Sequence, residues 1–203
     1  MFADSIWRLP GNRRRLALSF DDGPSESTPQ LLEVLERLRV KATFFMCGAH
    51  VLRLPHIATA VRDAGHSIGN HTQHHARLWL KRPGFIRAEI AAAQQTIFDA
   101  TGVRPRWFRA PYGVRWPGLG PVQRNLGLTG VMWTVIGNDW TLPADRVAHK
   151  ILKGASPGAI LCLHDGRELR QNPDISNTIE AVRIVVPKLI DAGYEIEWIT
   201  DHE

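Results

Sequence analysis

Residues 19–25 read SFDDGPS, so two carboxylates, Asp21 and Asp22, stand side by side where the apolar run 16–20 ends. Like charges this close repel, and each resists ionising beside the other. A strand followed by a polar turn would explain the stretch by itself, since Asp, Gly and Pro all favour turns. Further along, HTQHH spans residues 71–75. His71 and His75 are four apart, which would put both imidazoles on one side of a helical turn; His71 and His74, three apart, are an alternative pair. Two histidines, one carboxylate and one open position make up the pattern of a catalytic zinc site. A cation there would also remove the repulsion between the aspartates. Successive residues of an extended chain point to opposite sides. Adjacent aspartates are therefore expected to do two jobs, one as metal ligand and one as general base. Water on such an ion, with a pKa near ~7, is a nucleophile at neutral pH. Its attack on an amide or ester carbonyl leaves an oxyanion and a leaving group that needs a proton, and His164 in CLHD is placed to give one.

These residues must be held by something. Short apolar, β-branched or aromatic runs predict strands over 15–20, 41–47, 66–70, 106–110, 129–135, 158–164 and 194–199. Between them, helical periodicity marks 28–39, 55–64, 84–101, 143–153 and 175–191, with a weaker, glycine-interrupted candidate over 117–126. In the first helix Leu31, Leu32, Leu35 and Leu38 share a face, with Thr28 as the expected N-cap and Pro29 in the first turn. Strand–helix alternation predicts an α/β fold with a parallel sheet. No repeat, low-complexity tract or linker interrupts it, so residues 1–203 are expected to form a single domain. In such folds the chemistry gathers at the carboxyl ends of strands. The strand ends here carry Asp21–Asp22, NHTQHH, RAPY, NDW and HD, an inventory that solvated loops would not need.

SFDDGP, HTQHH, RAPY, NDW and CLH stand in the order and approximate spacing of the motifs of the polysaccharide deacetylases, and the chain resembles that family's NodB-homology domain, carbohydrate esterase family four, over roughly residues 14–200. The resemblance implies a distorted (β/α) barrel of about seven parallel strands. It implies removal of acetyl groups from an acetylated oligo- or polysaccharide, such as an N-acetylglucosamine polymer or acetylated xylan. By resemblance, Asp21 is the general base and Asp22, His71 and His75 are the metal ligands, which favours His75 over His74. Arg109 resembles the arginine that holds the base in place. Tyr112 matches the residue whose backbone N–H stabilises the oxyanion. Asp139 resembles the acid that orients and charges the catalytic His164, and Trp140 a wall of the acetyl pocket. The implied cofactor is a divalent metal, zinc above all, with cobalt as a substitute. Two departures stand out: Ile136 where the family often has an aspartate, and Cys162 where it usually has a leucine. They bear on the acetyl pocket, not on a catalytic group; Ser19 for the usual threonine is minor.

Each residue also has an ordinary structural explanation. Arg109 would be a surface arginine, Asp139 a turn residue, Trp140 core. Trp107 is expected in packing, while Trp79 and Trp116 are open between packing and sugar stacking. Cys47 and Cys162 both lie in apolar runs and are expected to be reduced core residues. The formal charge of +5 and pI near 9.7 suit a basic surface, but no nucleic-acid motif accompanies it. No stretch approaches the ~20 apolar residues of a membrane span. No signal peptide is legible in MFADSIWRLPGNRRR, so a cytoplasmic location is expected for the chain as given; an exported protein relieved of its signal would read the same. Two other functions compete: a deformylase or amidohydrolase acting on a small or lipid-linked amide, and a catalytically silent sugar-binding module. The second predicts a lost base, ligand or acid, yet all are present.

Overall fold

Alternation along the strands decides which residues meet. In β2 (Arg15–Asp21), Leu16, Leu18 and Phe20 pack into a core shared with helices, whereas Ala17 belongs to a separate inner cluster with Phe45 and Trp107. β8 (Ile160–His164) repeats the pattern: Leu161 and Leu163 face the helices and Ile160 the inner cluster. The period of two then carries Ser19, Asp21, Cys162 and His164 to the inner face. The strands lie parallel with Asp21 opposite His164 and Ser19 opposite Cys162. Both faces are covered, as expected of a parallel sheet.

The structure, a computed structural model, describes residues 5–11 and 13–199. The remaining strands are β1 (Ser5–Ile6), β3 (Thr43–Met46), β4 (Ser67–Asn70), β5 (Trp107–Phe108), β6 (Thr129–Val131), β7 (Val135–Ile136) and β9 (Glu195–Glu197). All join one sheet in the order β1-β6-β5-β4-β3-β2-β8-β7, and every pairing between strands is parallel. β9 pairs with the first half of β2 while β3 pairs with its second half. The two ends of the path, β1 and β7, do not pair with each other. Arg8 instead bridges antiparallel to Ala159, and Leu9 N–H donates to Gly158 O (2.8 Å), so the segment after β1 crosses to the start of β8. The sheet is thus a curled, open half-barrel, the distorted barrel the motifs implied, with nine strands among the described residues where about seven were expected.

The helices are α1 (Thr28–Arg37), α2 (Gly48–Arg53), α3 (Pro55–Asp63), α4 (Pro83–Thr101), α5 (Leu119–Asn125), α6 (Ala144–Gly154) and α7 (Ser176–Asp191). Their ends follow local chemistry. Pro83 sits in the first turn of α4, and Gly102 ends it at φ 73°, the left-handed conformation that costs glycine least. Among the described residues no helix is long and apolar enough to cross a membrane.

Several expectations need correction. The 129–135 strand is two strands: β6, next to β1 near one end of the sheet path, and β7, at the other end. The turn between them carries the sheet past its open side. β1 and α2 were not expected; both are short, and α2 continues an apolar run straight from β3. Thr28 is not the N-cap of α1: Ser27 occupies that position. The Thr28 hydroxyl is otherwise engaged, accepting from Ser25 N–H (2.8 Å) and donating to Asp165 Oδ2 (2.7 Å). Cys47 and Cys162 are free and buried, as expected.

Candidate active site

Arg109 follows β5 and is fully buried. A buried guanidinium requires partners for its donors. Its Nη1 donates to Asp21 Oδ1 (2.6 Å) and Ser19 Oγ (2.9 Å), its Nη2 to Met132 O (3.2 Å) and its Nε to Val131 O (3.4 Å). Its plane lies 4.1 Å over the Phe45 ring. Arg109 is therefore no surface arginine but the centre of the inner face, tying β2 to the ends of β5 and β6. The other Asp21 oxygen, Oδ2, accepts the Cys162 thiol (3.4 Å). Ile136 and Cys162, the two departures, are register partners on β7 and β8, and Ile136 lines the cleft.

Asp22 leaves the strand at φ 72°, a left-handed conformation costly for any residue with a Cβ. This turn separates the two aspartates: Asp21 faces Arg109, while Asp22 Oδ1 stands 3.2 Å from His71 Nε2 and 3.0 Å from His75 Nε2. Burial works against the Asp22 carboxylate, but the His71 and His75 imidazoles beside it outweigh that and hold its pKa well below the usual range. Its Oδ2 accepts from Glu168 N–H (2.8 Å).

The histidines meet by a different route from the helical turn the spacing suggested. Residues 71–75 form no helix; Thr72 (φ 67°) and His75 (φ 50°) are left-handed and bend the loop back on itself. The ring centroids end 5.1 Å apart. His71 Nδ1 donates to Arg109 O (2.7 Å), which fixes its tautomer and turns Nε2 to Asp22. The His75 ring packs edge-on against Tyr112, centroids 4.8 Å apart. His74 points elsewhere, pairing with Glu89 Oε1 (2.9 Å) at an exposed position. Asp22, His71 and His75 thus offer one carboxylate oxygen and two imidazole nitrogens, all within 4.8 Å of one another. This donor set fits a divalent metal with an open position.

His164 ends β8 opposite Asp21. Its Nδ1 donates to Asp139 Oδ1 (2.9 Å) and its backbone N–H to Oδ2 (2.8 Å), which also accepts from Thr178 Oγ1 (2.6 Å). Burial alone would push the imidazole down; the Asp139 charge and hydrogen bond outweigh it and hold the pKa at about 9. Trp140 stands edge-on to the His164 ring at 4.8 Å and is partly exposed in the cleft. Asp21, Asp22, His71, His75, Tyr112, Trp140 and His164 all line one cleft of about 620 Å³. Trp79 and Trp116 pack on each other at 5.1 Å and are not part of its lining; Trp107 is core.

Three contributors were not legible beforehand. Trp133 and Glu168 line the cleft, and Thr178 anchors Asp139 from α7. Glu168 acts through its backbone, which no residue pattern announces. Gly166 is legible only in hindsight. A Cβ there would stand 2.3 Å from the Asp22 carbonyl oxygen, and backbone cannot swing aside. Gly166→Ala is expected to cost ~1–3 kcal/mol in urea unfolding and to weaken metal binding with it, because Asp22 must shift. A midpoint equal to wild type would show that this turn has slack.

A family model described as polysaccharide deacetylase matches residues 8–131. A chitooligosaccharide deacetylase of Bradyrhizobium sp. is 36% identical over 192 residues, covering 90% of this chain and 88% of that protein. A peptidoglycan-N-acetylglucosamine deacetylase of Listeria monocytogenes is 35% identical over 190 residues, covering 93% of this chain but 38% of that longer protein. Among solved structures, a Bacillus anthracis protein described as a CE4 family pseudoenzyme superposes with a TM-score of 0.88 at 28% identity, over 97% of this chain and 67% of that one. With the motifs in place on a matching fold, the chain belongs to the polysaccharide deacetylase family of hydrolases.

Proposed function

We infer that this chain is a metal-dependent deacetylase of an N-acetylglucosamine-containing glycan. The observation that carries the reading is the convergence of an Arg-anchored aspartate, an Asp–His–His donor set and an Asp-paired histidine on one cleft. Deacetylases of chitooligosaccharide and of peptidoglycan are the relatives that share its sequence. Asp22, His71 and His75 would hold the metal, zinc or its substitute cobalt. Bound there, a divalent ion supplies Lewis acidity and lowers the pKa of water.

The chain's own residues divide the remaining work. Arg109 and Cys162 fix both oxygens of Asp21, leaving it oriented as the base that takes a proton from the attacking water. His164 carries a proton at neutral pH and gives it from Nε2 to the departing amine, since Nδ1 is committed to Asp139. The backbone N–H of Tyr112, in a tight turn at φ 60°, is assigned to the oxyanion. Trp140, with Ile136 beside it, walls the acyl group from water. A silent sugar-binding module would not need the base, donor set and acid together, and a structural likeness to a pseudoenzyme does not supply that loss.

The test is mass spectrometry of acetylated oligosaccharides, chitooligosaccharides and peptidoglycan fragments among them, incubated with enzyme loaded with zinc or cobalt. Loss of an acetyl group is expected in wild type. His71→Ala should lose both activity and bound metal, read by elemental analysis. Full metal occupancy in that variant removes His71 from the site. Turnover of small amides with none on any glycan favours the amidohydrolase reading.

A further inference from the structure

Glu168 belongs to no motif, yet its backbone N–H touches the proposed metal site. It sits in the β8–α7 loop at φ 47°, a left-handed conformation, facing the left-handed Asp22. Its N–H donates to Asp22 Oδ2. That bond reserves one carboxylate oxygen and leaves the other to the histidines. The carbonyl of the same residue is held from the opposite side by His50 Nε2 (2.7 Å). His50 lies on α2 and is 2% exposed. Burial pushes its imidazole toward the neutral form, which has a single N–H. Its Nδ1 accepts from Arg53 Nη2 (3.2 Å), so the proton must be on Nε2, aimed at Glu168. Arg53 pairs in turn with Glu26, whose Oε2 accepts from Asn172 N–H (2.9 Å) in the same loop.

We propose that His50 is a positioning residue for the metal site, holding the Glu168 carbonyl so that the N–H on the other side of the same Cα orients the ligand Asp22. An ordinary core histidine would need only satisfied ring nitrogens. This one donates to a residue whose own N–H ends on the ligand, in a conformation that is costly for glutamate. Partners of this kind, one bond removed from a metal, typically change affinity by ~10–100-fold when lost. The inference rests on the metal reading above.

The test uses substitutions that split the two bonds. His50→Asn keeps an acceptor near Nδ1 for Arg53 but is too short to reach Glu168. His50→Gln places an amide N–H near the former Nε2 and can still reach it. Cobalt affinity, by competition with a chromophoric chelator, and the cobalt visible spectrum are read for each beside thermal unfolding. Asn is expected to weaken cobalt by ~10–100-fold, and Gln to restore near-wild-type affinity. Wild-type affinity in the Asn variant, or a Gln variant as weak as Asn, overturns the proposal. Should His50→Asn not fold, Arg53→Met at its part-exposed position takes its place, with a several-fold loss expected and no change overturning the idea. Absence of cobalt binding by wild type overturns this proposal and the metal reading together; wild-type binding with an unaffected Asn variant overturns this one alone.

Discussion

Asp21→Asn is expected to lower turnover by ~10²–10⁴-fold, the range of a lost general base, with metal content unchanged. Asp22→Asn should lose the metal. The prediction depends on the left-handed turn at Asp22, which sends adjacent side chains to different partners. Asp21 meets Arg109 and Cys162; Asp22 meets the two histidines. An amide at 21 has the carboxylate's size and can still accept from Arg109, but it cannot take the proton. The substitution also leaves a fully buried guanidinium without its charge partner. Breaking such a pair outright costs ~3–5 kcal/mol, so activity must be referred to the folded fraction by circular dichroism. Metal lost from Asp21→Asn and kept in Asp22→Asn would reverse the two roles.

Asp139→Asn should move the alkaline limb of the kcat/KM profile downward in pH. A general acid works only while protonated. In the wild type burial disfavours the imidazolium of His164, and the Asp139 carboxylate overcomes this to hold the pKa at about 9. Asparagine preserves shape and removes the charge. Burial is then opposed only by the charges of Asp22 and Asp21, and the limb should fall toward the ~6.5 of an ordinary histidine. Stability offers an independent reading in metal-free protein. The folded pKa lies above the unfolded one, so the pair's contribution is complete below pH ~6.5 and is lost as pH rises through about 9. The Asn variant should lack that slope in urea titrations across this window. An alkaline limb that stays in place, with only the amplitude reduced, would make Asp139 a positioning residue alone.

The residues that gather at the cleft were legible because each motif sits where an apolar run stops, and alternation then fixes which side it faces. Asp21 and His164 could both be placed at one mouth from sequence for that reason: both end strands that read as buried. Parallel α/β order was legible from the same periodicity.

What tertiary structure alone decided is the convergence. His71 and His75 look like a helical pair by spacing, but meet through two left-handed residues that propensity does not announce. Arg109 was matched by resemblance to the arginine that holds the base, but its full burial and its bonds to Ser19, Asp21, Val131 and Met132 appear only when the strands close around it. Ile136 and Cys162 stand 26 residues apart in the chain and become neighbours only through the register of β7 and β8. Glu168 and His50 were invisible because their link to Asp22 runs through a backbone N–H and a backbone carbonyl, and nearly every residue has both. Side-chain identity is written in the sequence; which backbone N–H is left pointing at a carboxylate is settled only when long-range packing fixes the loops.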